Sequence, residues 1–385
     1  MAGPEIQSFV SDRAQYLVGE QAFLTATFSG GSGRIEPGLG PVRSGIPIST
    51  GPLDVSRTLR LIVTADGRSV ERGLELPVRY RDRYRALPQQ FRAVNHSATL
   101  LADGRVAVIG GSRGQAAISS DIDLFDPASE SFTRVASMAT GRENHTATLL
   151  QDGRLLVVGG NAGLAVVVPA ELFDPRTAGV VATGTSVAER QGHTATRLAS
   201  GDVLIVGGNS NEGLPFGISD SAEIWNAETG QFRLLDARLA RPREGHTASL
   251  LADGRVLIVG GYTTQFPYVL AEVFDPDTEA FAAVPSTEDR TRALHAAVEQ
   301  TDGSVLVLGG EDGVESVASV LRFDAANDTF STRPTLMRPR SVVRAVGLRD
   351  DRVLLFGGES LSSAQRLASA ESYRVSSGAL DIEAM

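Results

Sequence analysis

The histidines of this 385-residue chain all fall at one position of a repeated pattern, which makes them the first candidates for chemistry. Each lies 14 residues before a pair of glycines: His96, His145, His193, His246 and His295. The sixth equivalent position holds Val343. Because neutral imidazole is the commonest transition-metal ligand, a ring of histidines could hold a metal. Repetition favours a structural hydrogen bond made once per repeat, and we therefore predict neither a metal site nor a cofactor.

Arginines recur three residues before these positions: Arg142, Arg190, Arg243, Arg292 and Arg340. Residues three apart in an extended strand point to opposite sides, so the arginines and the histidines cannot both line one channel. An unpaired guanidinium is costlier to bury than an imidazole, which favours arginines at a channel mouth that receives an acidic ligand. The alternative is internal pairing with carboxylates of the same repeats, and the residue pattern leaves both open.

Two missing residue types exclude whole reaction classes. The chain has no cysteine, which removes thiolate nucleophiles, disulfides and cysteine-ligated zinc. It also has no lysine, since all 36 basic residues are arginine, so Schiff-base catalysis and the phosphate-binding lysine of a P-loop are impossible.

The overall charge argues against two kinds of partner. A net charge of -10 does not provide the basic surface that nucleic acids or anionic membranes require. No apolar run approaches the roughly 20 residues of a membrane-spanning helix. The first residues, 1–6, lack the features of a signal peptide, which leaves the compartment open, including export to the cell surface.

The glycine pairs define six copies of a repeat with spacings of 48 to 53 residues. They stand at Gly110-Gly111, Gly159-Gly160, Gly207-Gly208, Gly260-Gly261, Gly309-Gly310 and Gly357-Gly358. Within a copy, a small and β-branched stretch meets an Asp-Gly pair and then an apolar run, which predicts a hairpin with a two-residue turn. A third strand carries a carboxylate two residues before an aromatic, as in Glu171 and Phe173, and a less regular fourth strand follows.

A four-stranded unit of this size cannot bury its own faces, so the copies must stack on one another. Six sheets arranged radially form a propeller, with the Thr/Ala/Ser-rich first strands innermost. The last copy has its own fourth strand, so we expect the ring to close by packing of the sixth sheet on the first.

The double glycines, the Arg-x-x-His preceding them, the third-strand aromatic and Met138-x-x-x-Arg142 resemble Kelch repeats. The resemblance covers residues 87–385 and implies an all-β fold, a six-bladed Kelch-type β-propeller. Kelch propellers serve as docking modules, structural parts and occasionally enzymes, and docking members use arginines at this motif position for acidic ligands.

Residues 1–83 carry a different pattern, in which short alternating stretches are separated by Gly, Pro and Ser. Such strands predict an antiparallel sandwich. The segment resembles the immunoglobulin-like β-sandwich modules that accompany propellers in bacterial surface proteins, and we expect it to act as a spacer or stabilising cap.

Two loops between second and third strands carry aromatic residues: Phe216 in the third repeat and Tyr262, Phe266 and Tyr268 in the fourth. They predict either a stacking platform for a carbohydrate or peptide, or aromatics that pack on one another.

These features favour a non-enzymatic binding module that receives a protein or a small acidic ligand at the arginine-lined mouth. Galactose oxidase is similar in combining a propeller with a sandwich, but its tyrosine-cysteine cofactor is excluded here. The iron-binding Glu-xxx-Asp-xxx-His of nitrile-specifier propellers is also missing. An epimerase or lyase that uses Glu143 or Glu244 as a base and an arginine as an anion clamp is the enzymatic alternative.

Overall fold

The computed structural model describes residues 3–17, 20–53, 57–79, 94–112, 118–163, 165–167, 169–210, 217–263, 271–285, 291–348, 352–360, 365–367, 369–375 and 380–384. Every regular element in these ranges is a β-strand, which confirms the all-β prediction. One compact unit holds the strands up to Arg79, and a second holds those from Ser97 to Ala384. None of the described residues belongs to a helix that could cross a membrane.

The first unit consists of short strands, antiparallel except for one pair, that enclose one core. The strands are β1 (Glu5–Ser11), β2 (Tyr16–Leu17), β3 (Gln21–Ser29), β4 (Ser32–Glu36), β5 (Gly40–Val42), β6 (Ile48–Pro52), β7 (Arg57–Ala65), β8 (Arg68–Leu76) and β9 (Val78–Arg79). One sheet has the order β5-β4-β7-β8, another has the order β1-β3-β6, and β2 pairs with β9 in parallel. Buried and more exposed side chains alternate along β3 and β7, and the buried ones, such as Leu24 and Leu61, lie in a core that both larger sheets share.

The second unit contains six four-stranded antiparallel sheets in its described residues, here named repeat sheets 1 to 6. Sheet 1 has β10 (Ser97–Leu100), β11 (Val106–Ile109), β12 (Asp121–Asp126) and β13 (Ser131–Ser137). Sheet 2 has β14 (Thr146–Leu149), β15 (Leu155–Val158), β16 (Pro169–Asp174) and β17 (Gly179–Thr185). Sheet 3 has β18 (Thr194–Arg197), β19 (Val203–Val206), β20 (Ala222–Trp225) and β21 (Phe232–Leu234).

The remaining three sheets follow the same plan. Sheet 4 has β22 (Thr247–Leu250), β23 (Val256–Val259), β24 (Ala271–Asp275) and β25 (Ala280–Val284). Sheet 5 has β26 (Ala296–Glu299), β27 (Val305–Leu308), β28 (Val320–Asp324) and β29 (Thr329–Arg333). Sheet 6 has β30 (Arg344–Gly347), β31 (Arg352–Phe356), β34 (Ser369–Arg374) and β35 (Leu380–Ala384), with a small hairpin of β32 (Glu359–Ser360) and β33 (Gln365–Arg366).

The hairpin between the first two strands of a sheet differs from the two-residue turn that the Asp-Gly pairs predict. In sheet 1 the Leu101 amide donates to the Arg105 carbonyl at 2.8 Å, which leaves a loop of three residues. Gly104 ends that loop with a φ of 87°, in the left-handed region. The prediction of a two-residue turn is wrong because a turn through Asp103 followed by a left-handed glycine closes a three-residue loop, and Asp103 Oδ1 accepts from the Arg105 amide.

Apolar clusters join each repeat sheet to the next one in sequence. The second strand of sheets 2 to 5 is buried along its whole length, which confirms that both of its faces are covered. Five clusters connect sheets 1 and 2, 2 and 3, 3 and 4, 4 and 5, and 5 and 6. Neighbouring sheets approach one another most closely through their first strands. The expected packing of sheet 6 on sheet 1 is not seen among the described residues.

Candidate functional site

The residue before each histidine position adopts the left-handed conformation and joins its neighbours in a backbone belt. The φ values lie between 52° and 63° at Asn95, Asn144, Gly192, Gly245, Leu294 and Val342. The Asn144 amide donates to the Asn95 carbonyl at 3.1 Å, and the same bond recurs from each sheet to the next, up to Val342 N to Leu294 O at 2.9 Å. The belt therefore marks the end of the six sheets at which their first strands begin.

The histidines connect neighbouring sheets by hydrogen bonds to hydroxyl groups. His145 Nε2 lies 2.9 Å from Ser97 Oγ of the preceding sheet, and His193 Nε2 lies 2.9 Å from Thr146 Oγ1. The same contact joins His246 to Thr194 and His295 to Thr247. Between sheets 5 and 6, Ala296 replaces the hydroxyl residue and Val343 replaces the histidine. The structural interpretation of the histidines accounts for this pattern.

Burial keeps these imidazoles neutral. It lowers the pKa of His145 to about 3 and that of His246 to about 3, with a smaller contribution from the adjacent arginines Arg142 and Arg243. In the part of the chain that the structure describes, no group of three or more histidines and carboxylates could hold a metal ion.

The glycine pairs provide the space for these contacts. A Cβ on Gly159 would lie 2.4 Å from the Arg190 carbonyl oxygen and 2.7 Å from His193 Cε1 of the following sheet. A Cβ on Gly160 would lie 2.5 Å from the Glu143 carbonyl oxygen of its own sheet. Both glycines also have a positive φ, so conformation and close approach require glycine together.

The arginines lie behind the belt, inside their own sheets. Four of the five donate from Nη2 to a third-strand glutamate: Arg142 to Glu171 at 2.6 Å, Arg190 to Glu223 at 2.6 Å, Arg340 to Glu371 at 2.5 Å, and Arg243 to Glu272. The other Nη donates to carbonyl oxygens, as from Arg142 to Gly159 at 3.2 Å. In sheet 5, Leu321 occupies the acid's position, and Arg292 Nη2 donates to Ser319 Oγ at 2.6 Å.

The prediction of an arginine-lined mouth is therefore wrong in its geometry. Arg142, Arg190, Arg243, Arg292 and Arg340 are at most 2% exposed. The carboxylates that pair with four of them come from the third strand of the same repeat, which is the alternative that the sequence left open. A buried guanidinium with carboxylate and carbonyl acceptors pays less desolvation than an unpaired one, so the side chain folds inward.

Polar side chains next to the belt form what we name the rim. Each repeat contributes two residues to the rim, one directly after the arginine position and one directly after the glycine pair. The two form an isolated β-bridge with each other, as Glu143 does with Asn161. Side chains then connect one sheet to the next. Asn95 Nδ2 donates to Glu143 Oε2 at 3.2 Å, and Asn161 Nδ2 donates to Gln191 Oε1 at 2.5 Å.

The rim carries negative charge. Its carboxylates are Glu143, Glu244, Glu311 and Glu359, and no arginine occupies a rim position. Burial raises the pKa of Glu244, which a hydrogen bond with Asn209 partly offsets. Burial also raises the pKa of Glu311. A hydrogen bond with Ser341 partly offsets that rise, and the negative charges of Asp312 and Glu359 add to it. An incoming cation would lower both pKa values and relieve this repulsion.

One of the predicted aromatic residues lies at the rim. Tyr262 is half-buried, and its backbone bridges to Glu244. Phe216, Phe266 and Tyr268 lie outside the described residues, so the stacking platform stays a prediction.

A polar groove of about 560 Å³ lies at the opposite end of sheets 3 and 4, beside their first hairpins. Both arginines of the groove are paired, Arg233 with Glu279, and Arg255 with Asp253 and with Asp328 beside the groove. The other charged residues of its lining are the carboxylates Asp202, Asp275 and Asp277, so the groove is also acidic.

Sequence reasoning named only Glu143, Glu244 and Tyr262 among the rim residues, and in other roles, because the residue types change from repeat to repeat. Their positions do not change, since each follows the arginine or the glycine pair, and that constant offset is the signal that could have identified them. Compared with known proteins, the chain matches no family model and no curated protein.

Proposed function

We propose that the second unit is a six-bladed Kelch-type β-propeller and that the chain is a non-enzymatic interaction module. Six repeat sheets in sequence order, packed through their first strands, support the propeller. Short alternating strands around one core support an immunoglobulin-like sandwich for residues 1–83. The ligand-binding surface is the rim, and its ligand is a cationic segment of a partner protein.

The observation that carries this proposal is the charge of the rim. Four rim positions hold carboxylates, and the arginines that precede Glu143 and Glu244 are buried against glutamates of their own sheets. A surface that carries one sign of charge attracts a partner of the opposite sign and increases its association rate. Because the arginines are buried, nothing supports a small acidic ligand at an arginine-lined mouth. A protein partner is still supported, by the charge of the rim.

The enzymatic alternative lacks the geometry it requires. An epimerase or lyase needs a carboxylate base and an arginine clamp on the same accessible cavity. The arginines pair with glutamates in the sheet interior, as Arg190 and Glu223 do with no exposure of either side chain. Glu244 has a raised pKa and could act as a base, but the neighbouring arginine, Arg243, is buried against Glu272.

The proposal can be tested with a fluorescent octalysine peptide, whose binding is followed by anisotropy at low and at physiological salt. The triple variant Glu143→Gln, Glu244→Gln, Glu311→Gln should weaken binding by about tenfold or more, since each lost charge pair contributes a fraction of 1.4 kcal/mol. The matched control is Asp103→Asn, Asp152→Asn, Asp253→Asn, which removes three carboxylates from the hairpins at the other end.

The control variant should bind the peptide as the parent protein does. Equal weakening in both triple variants would show attraction to net charge alone and would contradict a rim site. An octaglutamate peptide that binds more tightly than octalysine would contradict the predicted sign of the ligand. Thermal unfolding of both variants checks that neither substitution set acts by unfolding the sheets.

A further inference from the structure

The left-handed position of the belt changes from polar to apolar along the six sheets. Sheets 1 and 2 have Asn95 and Asn144 there, sheets 3 and 4 have glycine, and sheets 5 and 6 have Leu294 and Val342. Asparagine and glycine are the residue types that adopt this conformation most readily. Val342 is 42% exposed, and Leu294 is half-buried. Sheets 5 and 6 therefore present apolar side chains where the other sheets present an amide group or no side chain.

The conformation of Val342 is costly for its residue type. Its φ is 52°, and a β-branched side chain in the left-handed region crowds the backbone. The belt does not need valine there, because the Asn144 amide donates to the preceding sheet at 3.1 Å as the Val342 amide does at 2.9 Å. The exposed part of the side chain gains nothing from burial in the fold. A strained residue with a partly exposed apolar side chain indicates a role in binding.

A third apolar side chain stands on the loop between the second and third strands of sheet 5. Val314 is 85% exposed in this loop. The Asp312 amide donates to the Glu315 carbonyl at 3.1 Å, which closes the loop. Asp312 Oδ1 accepts from the Val314 amide at 2.9 Å and from the Glu315 amide at 2.8 Å. These bonds fix the backbone that holds the Val314 side chain in solvent.

Hydrogen bonds connect this loop to the belt on both sides. Glu311, directly before the loop, bridges to the residue that precedes Leu294. Ser316, directly after the loop, donates from Oγ to Ser341 Oγ at 3.4 Å, and Ser341 precedes Val342. The three apolar residues therefore share one corner of the rim, where sheets 5 and 6 meet. We name them the apolar patch: Leu294, Val314 and Val342.

The apolar patch is bordered by carboxylates. Asp312 and Glu315 lie in the same loop as Val314, and Glu311 and Glu359 are the rim carboxylates of sheets 5 and 6. Besides burial, the negative charges of Asp312 and Glu359 raise the pKa of Glu311, so these three carboxylates lie close to one another. A surface that combines apolar side chains with carboxylates complements a segment that combines apolar side chains with basic ones.

We propose that the cationic segment received by the rim is amphipathic and places large apolar side chains on the apolar patch, an inference that rests on the proposed function. Attraction between charges brings the segment to the rim and is screened by salt. Burial of Val314 and Val342 adds a contribution that salt does not screen. A second copy of this chain is a poorer occupant, because the chain has a net charge of -10 and the patch is bordered by carboxylates.

The test compares two fluorescent peptides of equal length and charge, whose binding is followed by anisotropy. The leucine peptide consists of Lys-Lys-Leu repeated four times, and the serine peptide consists of Lys-Lys-Ser repeated four times. At physiological salt the leucine peptide should bind the parent protein about tenfold more tightly. This ratio should not fall as salt is raised, because screening weakens the charge pairs of both peptides equally.

The patch variant is Val314→Ser, Val342→Asn, which removes two exposed apolar side chains and no charge. Asparagine at position 342 is the residue type that the belt has in sheets 1 and 2, so the backbone should keep its conformation. The leucine peptide should bind this variant about tenfold more weakly, and the serine peptide should bind as before. A lower melting temperature with equal weakening of both peptides would show a structural role for these valines and overturn the patch.

The matched control is Val181→Ser, Leu234→Asn. These residues lie in the fourth strands of sheets 2 and 3 and are 57% and 36% exposed. The control removes a similar amount of apolar surface from another part of the repeat sheets, and it should bind both peptides as the parent protein does. Weakening of the leucine peptide in the control as large as in the patch variant would show diffuse apolar attraction and overturn the docking site.

The serine peptide distinguishes a failure of the inference from a failure of the proposed function. If Glu143→Gln, Glu244→Gln, Glu311→Gln does not weaken the serine peptide, the rim does not bind cations and the proposed function fails. If it does, but the leucine peptide binds the parent protein no more tightly than the serine peptide, only the inference fails. Sedimentation of a dimer that the patch variant no longer forms would identify a second copy as the occupant and overturn the proposed partner.

Discussion

The pairing of Arg142 with Glu171 permits the sharpest test of the buried arginines. The guanidinium is fully buried, and the Glu171 side chain is 5% exposed. Glu171 accepts from Arg142 Nη2 at 2.6 Å and from the Ala139 amide at 2.8 Å. Glu171→Gln keeps the shape but leaves a buried cation without a countercharge, which should cost about 3 to 5 kcal/mol of unfolding free energy.

Urea unfolding followed by tryptophan fluorescence measures this cost, because Trp225 is the only tryptophan and is buried in the neighbouring sheet 3. The control is Asp152→Asn, which breaks an ion pair with Arg154 whose side chains are 33% and 47% exposed. An exposed pair contributes about 0 to 1 kcal/mol, so the control should change stability little. A cost for Glu171→Gln as small as that of the control would refute the interpretation of the arginines as internal braces.

Sheet 5 suggests a compensating change, because Ser319 Oγ accepts from Arg292 where Leu321 replaces the acid. Adding Pro169→Ser to Glu171→Leu reproduces that arrangement in sheet 2. The serine should recover about 1.5 to 3 kcal/mol relative to Glu171→Leu alone, the value of a hydrogen bond to a charged group. No recovery would show that the hydroxyl does not replace the carboxylate.

Three further perturbations examine the contacts between neighbouring repeat sheets. Acidification should destabilise the protein, because the pKa of His145 and His246 is about 3 in the folded state and the unfolded chain therefore binds more protons. The contribution of these histidines to stability is complete above about pH 6.5, and at pH 5.5 each should have lost about 1.4 kcal/mol of unfolding free energy. An unfolding midpoint that does not change with pH would contradict burial of neutral imidazoles. Thr194→Ala should lower the unfolding free energy by about 1 to 3 kcal/mol, because it leaves His246 Nε2 without its hydrogen bond. In a double-mutant cycle, Thr194→Ala combined with His246→Val should cost less than the sum of the two single variants. Gly207→Ala should cost more than Gly357→Ala in thermal melts, because an added Cβ at Gly207 would lie 2.5 Å from the Arg243 carbonyl oxygen while both glycines carry a positive φ. Equal costs would contradict the close approach of sheets 3 and 4 at Gly207.

Local sequence patterns predicted the strands. They did not predict which carboxylates pair with the arginines, because those residues lie far apart along the chain. The Thr-Ala-Thr stretch, the Asp-Gly pair and the apolar run specify a hairpin within about 15 residues, so the first two strands of each repeat could be read directly. The partner of Arg142 lies 29 residues further along the chain and that of Arg190 lies 33 residues further. Burial of these arginines depends on where the third strand returns, which spacing alone does not give.

The histidines and the rim show the two limits of repeat analysis. Repetition favoured a structural role over a catalytic one for the histidines, and the same hydroxyl contact recurs between four of the five described pairs of neighbouring sheets. At the rim the position repeats while the residue type varies, from Glu143 to Gln191 to Glu244, so a search for recurring residues passes over it. Closure of the ring by packing of sheet 6 on sheet 1 stays a prediction, because sequence copies count the sheets and say nothing of the angle between them.

The central claim, that the rim receives a cationic segment, can be measured by carbodiimide cross-linking of octalysine to the parent protein. Because the chain contains no lysine, a C-terminally amidated octalysine can be cross-linked to it only through a peptide amine and a carboxyl group of the chain, which mass spectrometry then locates. The account predicts adducts concentrated at Glu143, Glu244, Glu311 and Glu359. Adducts spread evenly over the surface, or concentrated at the hairpin carboxylates Asp103, Asp152 and Asp253, would contradict it.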